Sequence, residues 1–405
     1  MATTAGIGWT RERCEELDRS DPIGWARGRF ALPGDVVYLE GNSLGAMPSA
    51  APARLAEVLG KEWGEAASRS WGAGKWMEGP RRVGDKIARL IGAKPGEVVT
   101  CESTTIGLAK ILGASLAAAP GKRRALLTTS TNFPSDLYAA QGMRRFFSSE
   151  PELRVVEPEA LPAALGAGDV AAMFLTQVDF RTGALFDLGS LTDLAHRAGA
   201  LAIWDLCHSA GAVPVGCEAN GVDLAVGCGY KYLNGGPGSP AFVYVRSAHQ
   251  GRLPNPLPGW MGHADPMAFG RDFVAAKDVS AFLTSTPSVL ALAALETGLD
   301  AFEGVTIEQA REKSLQLTRV FMEVISRDTG GAVRFATPPE PSGRGSQVSI
   351  RHEDAAAIVR EAERLGVLGD FRPPDICRFG FAPLYLRHSE VYEAARIVAD
   401  ILGDR

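Results

Sequence analysis

The sequence predicts an α/β protein in which a large, mostly parallel sheet with helices on both faces is followed by a smaller α+β domain. Two observations predict it. Between about residues 78 and 286, short apolar stretches alternate with helical ones, as they do when crossover helices cover a parallel sheet. Beyond that region the order changes to a long helical stretch and two strand-and-helix units. We therefore expect an arm over residues 1–60, a large domain over 61–287 and a small C-terminal domain over 288–405.

The arm is expected to pack with the small domain. It begins with a short polar helix, RCEELDRSDP, and continues as an extended piece, VVYLEGNSLGAMP, which ends in a Gly/Asn/Ser turn. A segment with helical periodicity, APARLAEVLGKEWGEAASRSW, leads into the large domain.

In the large domain, apolar stretches predict strands and periodic stretches predict helices. The predicted strands are EVVTCEST, RALLTTSTNFP, VAAMFLTQVDF, LAIWDLCHSAG, DLAVGCGY and PAFVYV. The helices before and between them are RRVGDKIARLIGA, TIGLAKILGASLAAA, SDLYAAQGMRRFF and LGSLTDLAHRAG. Ligands of parallel sheets bind at the carboxyl ends of the strands, so we expect the chemistry in the turns that follow them.

The small domain should open with one long helical stretch, over about residues 288–327. The segment GSQVSIRHEDAAAIVREAERLG then predicts a strand and a helix, and DICRFGFAPLYLRHSEVYEAARIVADIL predicts a strand, a loop and a closing helix.

Charge and composition exclude several classes of function. A net charge of −5 and the lack of a Lys/Arg run argue against a nucleic-acid surface. The six cysteines lack metal-ligand or redox spacing, which predicts buried thiols in a reducing compartment and no metal site. No apolar run reaches the roughly 18 residues of a membrane span, and the first residues do not follow the signal-peptide pattern. We expect a soluble, cytoplasmic protein without nucleic-acid or membrane partners.

One lysine has unusual neighbours. Lys231 lies in LAVGCGYKYLNGGPG, between two tyrosines, after an apolar run and before a glycine-rich turn. Burial would favour its neutral amine, because desolvation disfavours the charged form. A neutral lysine amine is a nucleophile that forms Schiff bases with carbonyl groups.

An aspartate precedes this lysine at a suggestive distance. Asp205 closes the strand AIWD, where it is either a helix-capping residue or a partner for a protonated pyridine nitrogen. A strand-end Asp followed about 26 residues later by such a lysine is the order of fold-type I pyridoxal phosphate enzymes. His208, three residues beyond Asp205, is then expected beside the cofactor rather than in an ordinary turn.

Two strand-to-helix turns offer groups for a phosphate. No GxxxxGK[ST] or GxGxxG motif is present. Instead, Ser103, Thr104 and Thr105 open a predicted helix, where hydroxyls and free amides hold a dianion unless they only cap the helix. In TNFPSDLY, Phe133 can stack on an aromatic ring and Asp136 can accept a hydrogen bond. The alternative is a capped helix in which Phe133 is only a hydrophobic staple.

Taken together, the motifs resemble one family. YLEGNSLG, FPSD, WDLCHSAG, GCGYKYLNGGPG, GWMGH, STPSV and RFGFAPLY occur in this order from residue 38 to 385 and are similar to those of the kynureninases. These are pyridoxal 5'-phosphate hydrolases of the class V aminotransferase superfamily. The resemblance implies a fold-type I pyridoxal phosphate-dependent transferase fold and cleavage of the Cβ–Cγ bond of L-kynurenine to anthranilate and L-alanine. It places the protein in tryptophan catabolism or in a biosynthetic branch such as NAD biosynthesis.

The resemblance also implies residue roles. Lys231 matches the Schiff-base lysine, Asp205 the partner of the pyridine nitrogen, and Tyr230 a phosphate neighbour that is a candidate for proton transfer. The other positions that match cofactor contacts are Thr104, Thr105, Phe133, Ser135, Asp136, Thr176 and His208. Trp260 and Thr286 match residues that reach the phosphate from the neighbouring subunit, which implies a homodimer.

Three further residues match the substrate site of the family. Arg378 matches the arginine that clamps the α-carboxylate of the substrate, although an arginine on a surface strand would also fit its position. Ser43 and Trp71 match positions that line the aromatic end. With Thr286, Trp71 follows the bacterial pattern, which implies a preference for L-kynurenine over its 3-hydroxy form. Three positions depart from the family pattern: Gln177, Asp179 and Gly107.

Other reactions share this set of residues. A cysteine desulfurase would keep Asp205, His208 and Lys231 but needs a reactive cysteine on an exposed loop, and Cys377 lies in an apolar strand. An aminotransferase of the same fold would need a 2-oxo acid. A non-catalytic regulator would need a DNA-binding extension or a basic patch, which the sequence lacks.

Overall fold

The computed structural model describes residues 8–72 and 76–404. Residues 1–7 of the predicted arm, residues 73–75 and residue 405 lie outside the described residues. The arm and the segment after it contain short elements. They are α1 (Arg11–Ser20), β1 (Phe30–Ala31), β2 (Val37–Tyr38), β3 (Met47–Pro48), α2 (Ala51–Glu57), a π-helical segment (Val58–Glu65) and α3 (Arg69–Gly72). The helical periodicity before residue 72 therefore corresponds to three pieces, with Ala67 between the last two at a positive φ of 52°.

The large sheet has seven strands and the predicted mostly parallel arrangement. Its strands are β4 (Val98–Cys101), β5 (Ala125–Thr129), β6 (Leu153–Val156), β7 (Val170–Thr176), β8 (Leu201–Asp205), β9 (Leu224–Cys228) and β10 (Ala241–Val245), of which β6 was not predicted. Their order in the sheet is β4-β10-β9-β8-β7-β5-β6, and only β10 runs against its neighbours. The accompanying helices are α4 (Gly79–Ile91), α5 (Thr104–Ala118), α6 (Pro134–Arg144), α7 (Leu161–Leu165) and α8 (Leu188–Arg197).

The central strands are apolar along most of their length because both faces of the sheet are covered. In β8, Ala202 and Trp204 belong to one hydrophobic core and Ile203 to the other. α4 and α8 contribute to the first core, whereas α5 and α6 contribute to the second. Because successive side chains of a strand point to opposite faces, one continuous apolar run contributes to both cores.

The small sheet is antiparallel, in the order β11-β12-β15-β14. Its strands are β11 (Arg334–Phe335), β12 (Gln347–Arg351), β14 (Asp370–Arg372) and β15 (Ile376–Gly380). β13 (Val367–Leu368) belongs to a separate two-stranded sheet with β2. Its helices are α9 (Val289–Asp300), α10 (Ile307–Asp328), α11 (Ala355–Arg364) and α12 (His388–Gly403).

The prediction of a single helical stretch over residues 288–327 is wrong. The structure divides it into α9 and α10, because Gly304 adopts a positive φ of 79° between them. Thr306 then begins α10 with a capping box, in which its hydroxyl accepts from the Gln309 backbone and the Gln309 side chain accepts from the Thr306 backbone.

The arm lies against the small sheet and its helices. β2 pairs in parallel with β13, and α1 packs on α12. Asp21 forms a buried ion pair with Lys313 of α10 at 2.6 Å. The bounds of the three parts stay a prediction. Within residues 8–72 and 76–404, no helix is long and apolar enough to cross a membrane.

Candidate active site

Five parallel strands end around one cavity of about 170 Å³. It lies where the chain leaves β4, β5, β7, β8 and β9, at the edge that the sequence predicts. Its lining residues are Ser103, Thr104, Thr105, Phe133, Ser135, Asp136, Thr176, Phe180, Asp205, Cys207, His208, Cys228, Tyr230, Lys231, Ser239 and Ala241. The structure therefore brings together all ten residues predicted to meet the cofactor from within one chain.

The Lys231 amine lies 2.9 Å from Nε2 of His208. The expected burial of Lys231 is only partly correct, since the side chain is half-buried and its amine faces the cavity. Burial lowers the pKa of His208 well below its usual value, and the nearby Lys231 charge lowers it further. His208 is therefore neutral at physiological pH, and its Nδ1 has no hydrogen-bond partner in the described part of the chain.

Two carboxyl groups lie together in the wall of the cavity. Asp205 accepts a 2.7 Å hydrogen bond from the Cys207 backbone, and Asp136 lines the same cavity. Burial raises the pKa of Asp136 well above its usual value, and the Asp205 carboxylate adds to the effect. The Oδ2 atom of Asp136 is buried without a partner among the described residues. This arrangement fits a protonated pyridine nitrogen, which would donate a hydrogen bond and supply a positive charge.

Hydroxyl groups and helix N-termini line the wall where the phosphate is expected. Ser103 caps α5, and the Thr104 hydroxyl lies 3.5 Å from the Cys207 sulfur. Thr105 and Ser135 lie in the first turns of α5 and α6, where backbone N–H groups and the helix dipole favour a dianion. Burial raises the pKa of the Tyr230 phenol, which keeps it a hydrogen-bond donor. These groups fit a phosphate ester.

Phe133 forms the aromatic wall of the cavity. It precedes α6, and its ring meets Phe180 edge to face, with centroids 4.9 Å apart. With 37% of its surface exposed, the Phe133 ring is available to stack on a flat ligand.

Arg378 lies outside the cavity lining but is linked to it. On β15 it is 2% exposed, so it is not a surface arginine. Its Nη1 donates to the Phe180 carbonyl at 2.8 Å, and its Nε and Nη2 pair with Asp370. Because Phe180 lines the cavity, the guanidinium lies one residue away from it.

The arm brings Ser43 close to the lysine loop. Ser43 is half-buried in the turn after β2, where its backbone donates to Glu40. Gly45 in this turn donates to the Tyr230 carbonyl at 2.7 Å. Only glycine fits there, since an added Cβ would lie 2.2 Å from the Lys231 carbonyl. The glycine-rich arm motif thus permits contact with the loop that carries Lys231.

Five predicted residues do not line the cavity: Ser43 and Arg378, described above, and Trp71, Trp260 and Thr286. Trp260 and Thr286 lie elsewhere, and Thr286 and Trp71 line a second, apolar hollow of about 450 Å³. The Trp71 ring meets Trp76 and Trp260 edge to face, with centroids 5.2 and 6.4 Å apart. The resemblance places Trp260 and Thr286 at a partner's site, so their positions outside their own cavity are compatible with it.

Comparison with known proteins identifies the family. The chain is 45% identical over 398 residues to a kynureninase of Burkholderia pseudomallei strain K96243, covering 97% of this chain and 95% of that protein. It is 44% identical, with the same coverage, to a kynureninase of Pseudomonas fluorescens. The chain belongs to the kynureninase family. The description of the matching family model is Kynureninase C-terminal domain, over residues 310–398.

Solved structures confirm the fold of this kynureninase-family protein. A cysteine desulfurase from Thermococcus onnurineus NA1 superposes with a TM-score of 0.75 at 18% identity, covering 94% of this chain and 96% of that one. A mutant of C-DES with glycine covalently linked to its pyridoxal phosphate cofactor gives 0.78 at 16% identity, over 92% and 98%. The predicted family, the fold-type I class, the hydrolase class and pyridoxal phosphate as the cofactor are thus confirmed.

The structure accounts for two of the three departures from the kynureninase pattern. Gly107 packs so closely that an added Cβ would lie 3.0 Å from the Cys101 sulfur. Asp179 orders a turn, because its Oδ1 accepts from the Arg181 backbone at 3.0 Å and from the backbone and hydroxyl of Thr182 at 2.7 Å. Gln177 is buried with its Oε1 unpartnered among the described residues, and nothing in the structure explains its side chain.

Sequence reasoning missed Phe180 and Asp370. Phe180 is the last residue of the predicted strand VAAMFLTQVDF, and its position at a strand end was the only sequence indication that it lines the site. Asp370 lies eight residues before Arg378, with two prolines between them, a spacing that fits a hairpin with the two side chains opposed. That signal depends on the register, which the sequence does not fix.

Proposed function

We propose that this protein hydrolyses L-kynurenine to anthranilate and L-alanine. The observation that carries the proposal is the position of Arg378, a buried arginine one residue away from a cavity that fits pyridoxal phosphate. An arginine there can hold the α-carboxylate of an amino acid whose amine lies near Lys231. Family membership then selects the substrate.

Different residues of the cavity would hold different parts of the cofactor. Lys231 would hold it covalently, Asp205 and Asp136 would face its ring nitrogen, and Phe133 would stack on its ring. The phosphate would lie among hydroxyl groups: Thr104, Thr105, Ser135 and Tyr230. Thr176 and His208 would complete the walls. When bound, pyridoxal phosphate supplies an electron sink for charge that develops on the α carbon of the substrate.

The catalytic work of the chain is proton transfer and electrostatic positioning. The Lys231 amine would take the proton from the α carbon and return it later. Tyr230, held protonated by burial, is placed to give a proton. Hydrolysis balances when the γ-carbonyl carbon takes hydroxide from water and leaves as anthranilate, while Cβ takes a proton to become the methyl group of L-alanine.

Other reactions of the same fold receive less support from the structure. All six cysteines of the chain are free and buried, including Cys377, so none is placed as the mobile nucleophile of a desulfurase. The free, buried thiols also support our proposal that the protein works in the reducing cytoplasm.

We propose a homodimer in which each subunit completes its partner's site. Support comes from an apolar hollow outside the cavity, lined by Trp71 and Thr286, with Trp63 61% exposed and Leu290 40% exposed beside it. A face of this kind is typical of an interface. Trp260 and Thr286 would then reach the partner's phosphate, and Ser43 and Trp71 would line the aromatic end of the substrate.

Mixing two inactive variants tests the shared site. At any one site of the proposed dimer, Lys231 comes from one subunit and Trp260 from the other. Lys231→Ala and Trp260→Ala therefore remove the contributions of different subunits. In a mixed dimer, one site collects both changes and the other collects none, so random exchange of subunits should restore about a quarter of the wild-type sites. Activity that stays absent after proven subunit exchange would contradict the shared site.

The reaction itself is tested by anthranilate release. Purified protein supplied with pyridoxal phosphate receives L-kynurenine, and anthranilate fluorescence is followed for the wild type, Lys231→Ala and the control Lys122→Ala, which changes an exposed lysine. We expect release by the wild type and the control, and loss of about 100-fold or more in Lys231→Ala. A Schiff-base absorbance band without anthranilate would exclude the reaction. The same assay with 3-hydroxykynurenine tests the expected preference for L-kynurenine.

A further inference from the structure

Arg378 is hydrogen-bonded to Asp370, an acid that has no other role in the proposed reaction. Asp370 of β14 lies directly opposite Arg378 of β15 in the antiparallel register. The Asp370 carboxylate accepts from Arg378 at Nε, 2.8 Å away, and also at Nη2. The two side chains are 15% and 2% exposed, so the pair lies largely out of water.

These contacts do not use all the N–H groups of the guanidinium. A guanidinium has five N–H groups. Asp370 takes the Nε hydrogen and one on Nη2, and the Phe180 carbonyl takes one on Nη1. One hydrogen remains on each terminal nitrogen, without a partner in the described part of the chain. Two N–H groups on neighbouring nitrogens are what a bidentate carboxylate requires.

The surrounding charges leave the group positive. Asp370 also accepts from Nη2 of Arg372 at 2.8 Å, so one carboxylate faces two guanidinium groups. Burial lowers the pKa of Arg372, and the Arg378 charge lowers it further, as expected for crowded positive charge. Another acid that interacts with this group, Glu40, has its pKa raised by burial and by the Asp370 charge. An arriving carboxylate would therefore meet excess positive charge.

We propose that Asp370 is a positioning residue for the α-carboxylate of the substrate. It fixes the plane of the Arg378 guanidinium through one edge and leaves the opposite edge for the substrate. This inference rests on the proposed function only in assigning the α-carboxylate to Arg378. It predicts that Asp370 affects ligands with an α-carboxylate and does not affect ligands without an amino-acid backbone.

The test compares two product ligands on the pyridoxal phosphate-loaded enzyme. L-Alanine has the α-carboxylate and anthranilate lacks the amino-acid part, so their dissociation constants separate the two ends of the site. The variants are Asp370→Asn, which keeps the size and removes the charge, and Asp370→Glu, which keeps the charge. Asp328→Asn is the matched control, since it removes an acid paired with Arg327 at the far end of α10. Thermal melting shows which variants are folded.

In Asp370→Asn we expect the dissociation constant of L-alanine and the KM of L-kynurenine to rise about 10- to 100-fold. kcat should change less, and anthranilate binding should stay within about twofold. Asp370→Glu should lie between Asp370→Asn and the wild type.

Three results would overturn the proposal. They are unchanged L-alanine binding, equal weakening of both ligands, and tighter L-alanine binding, which would make Asp370 a competitor of the substrate. Ligand binding is measured without turnover. A wild-type enzyme that binds L-alanine but releases no anthranilate from L-kynurenine would therefore contradict the proposed function and leave this inference open to its own test.

Discussion

Asp136 and Asp205 line the same wall of the cofactor cavity. Asp136 is 2% exposed and Asp205 7% exposed, and burial raises the pKa of Asp136 well above its usual value, with the Asp205 charge adding to the effect. The protonated form of Asp136 is therefore favoured, and the negative charge beside a pyridine nitrogen would come from Asp205. That is the charge that a protonated pyridine nitrogen needs in a partner.

The two acids should respond differently to replacement by Asn. Asp136→Asn resembles the protonated state that the pair already contains, so we expect kcat/KM for L-kynurenine to fall less than about tenfold. Asp205→Asn removes the remaining negative charge, and kcat/KM should fall about 100-fold or more. Steady-state kinetics at saturating pyridoxal phosphate measures both. Equal losses in the two variants would show that the two acids do not differ in charge in this way.

The same pair should make the cofactor-free protein less stable as the pH rises. In the unfolded chain the Asp136 carboxyl loses its proton near its usual pKa of 3.8, whereas the folded protein keeps that proton to a much higher pH. Above pH 3.8 the folded state thus binds more protons, and the free energy of unfolding falls with increasing pH.

Melting temperatures of cofactor-free wild type and Asp136→Asn between about pH 5 and 8 measure this effect. As the pH rises, we expect the melting temperature of the wild type to fall progressively relative to that of the variant. His208 has a lowered pKa and acts in the opposite direction below its usual 6.5, but it is present in both proteins and cancels in the difference. Parallel curves would contradict the raised pKa of Asp136.

The Asp179 turn should be sensitive to loss of its oxygen acceptor. Asp179→Ala leaves three donors unpaired, and we expect a loss of about 1–3 kcal/mol in the free energy of unfolding. Because the next carbonyl, on Phe180, holds Arg378, the KM of L-kynurenine should also rise. Asp179→Asn keeps an acceptor oxygen and should change both quantities little. Urea denaturation and kinetics compare the two variants, and similar defects in both would refute the role of the oxygen.

Gly107 should not tolerate a larger residue. An added Cβ would lie 3.0 Å from the Cys101 sulfur and 3.1 Å from a Val243 methyl group, so Gly107→Ser should cost about 1–3 kcal/mol of the free energy of unfolding. Gly142→Ala is the control, since it lies within α6 with open space around it and should stabilise the protein by about 0.5–1 kcal/mol. Denaturant melts measure both. A Gly107→Ser protein as stable as the wild type would show that α5 can shift to make room.

Six of the seven strands of the large sheet, all except β6, and the edge where the cofactor cavity lies could be predicted from the sequence. Strand patterning is local, and parallel strands must end at one edge, so Lys231, Asp205 and Thr104 were predicted to converge before any contact was known. The family motifs then assigned each residue its role, and the comparisons confirm that family.

The surroundings of those residues could be seen only in the folded chain. The pairing of Asp370 with Arg378 depends on the register of a hairpin, and the raised pKa of Asp136 depends on its burial beside Asp205. The division of α9 from α10 was missed because a single glycine with positive φ interrupts an otherwise helical pattern. Each of these features arises from residues distant in the chain or from one backbone angle, whereas periodicity reports only which face of an element is apolar.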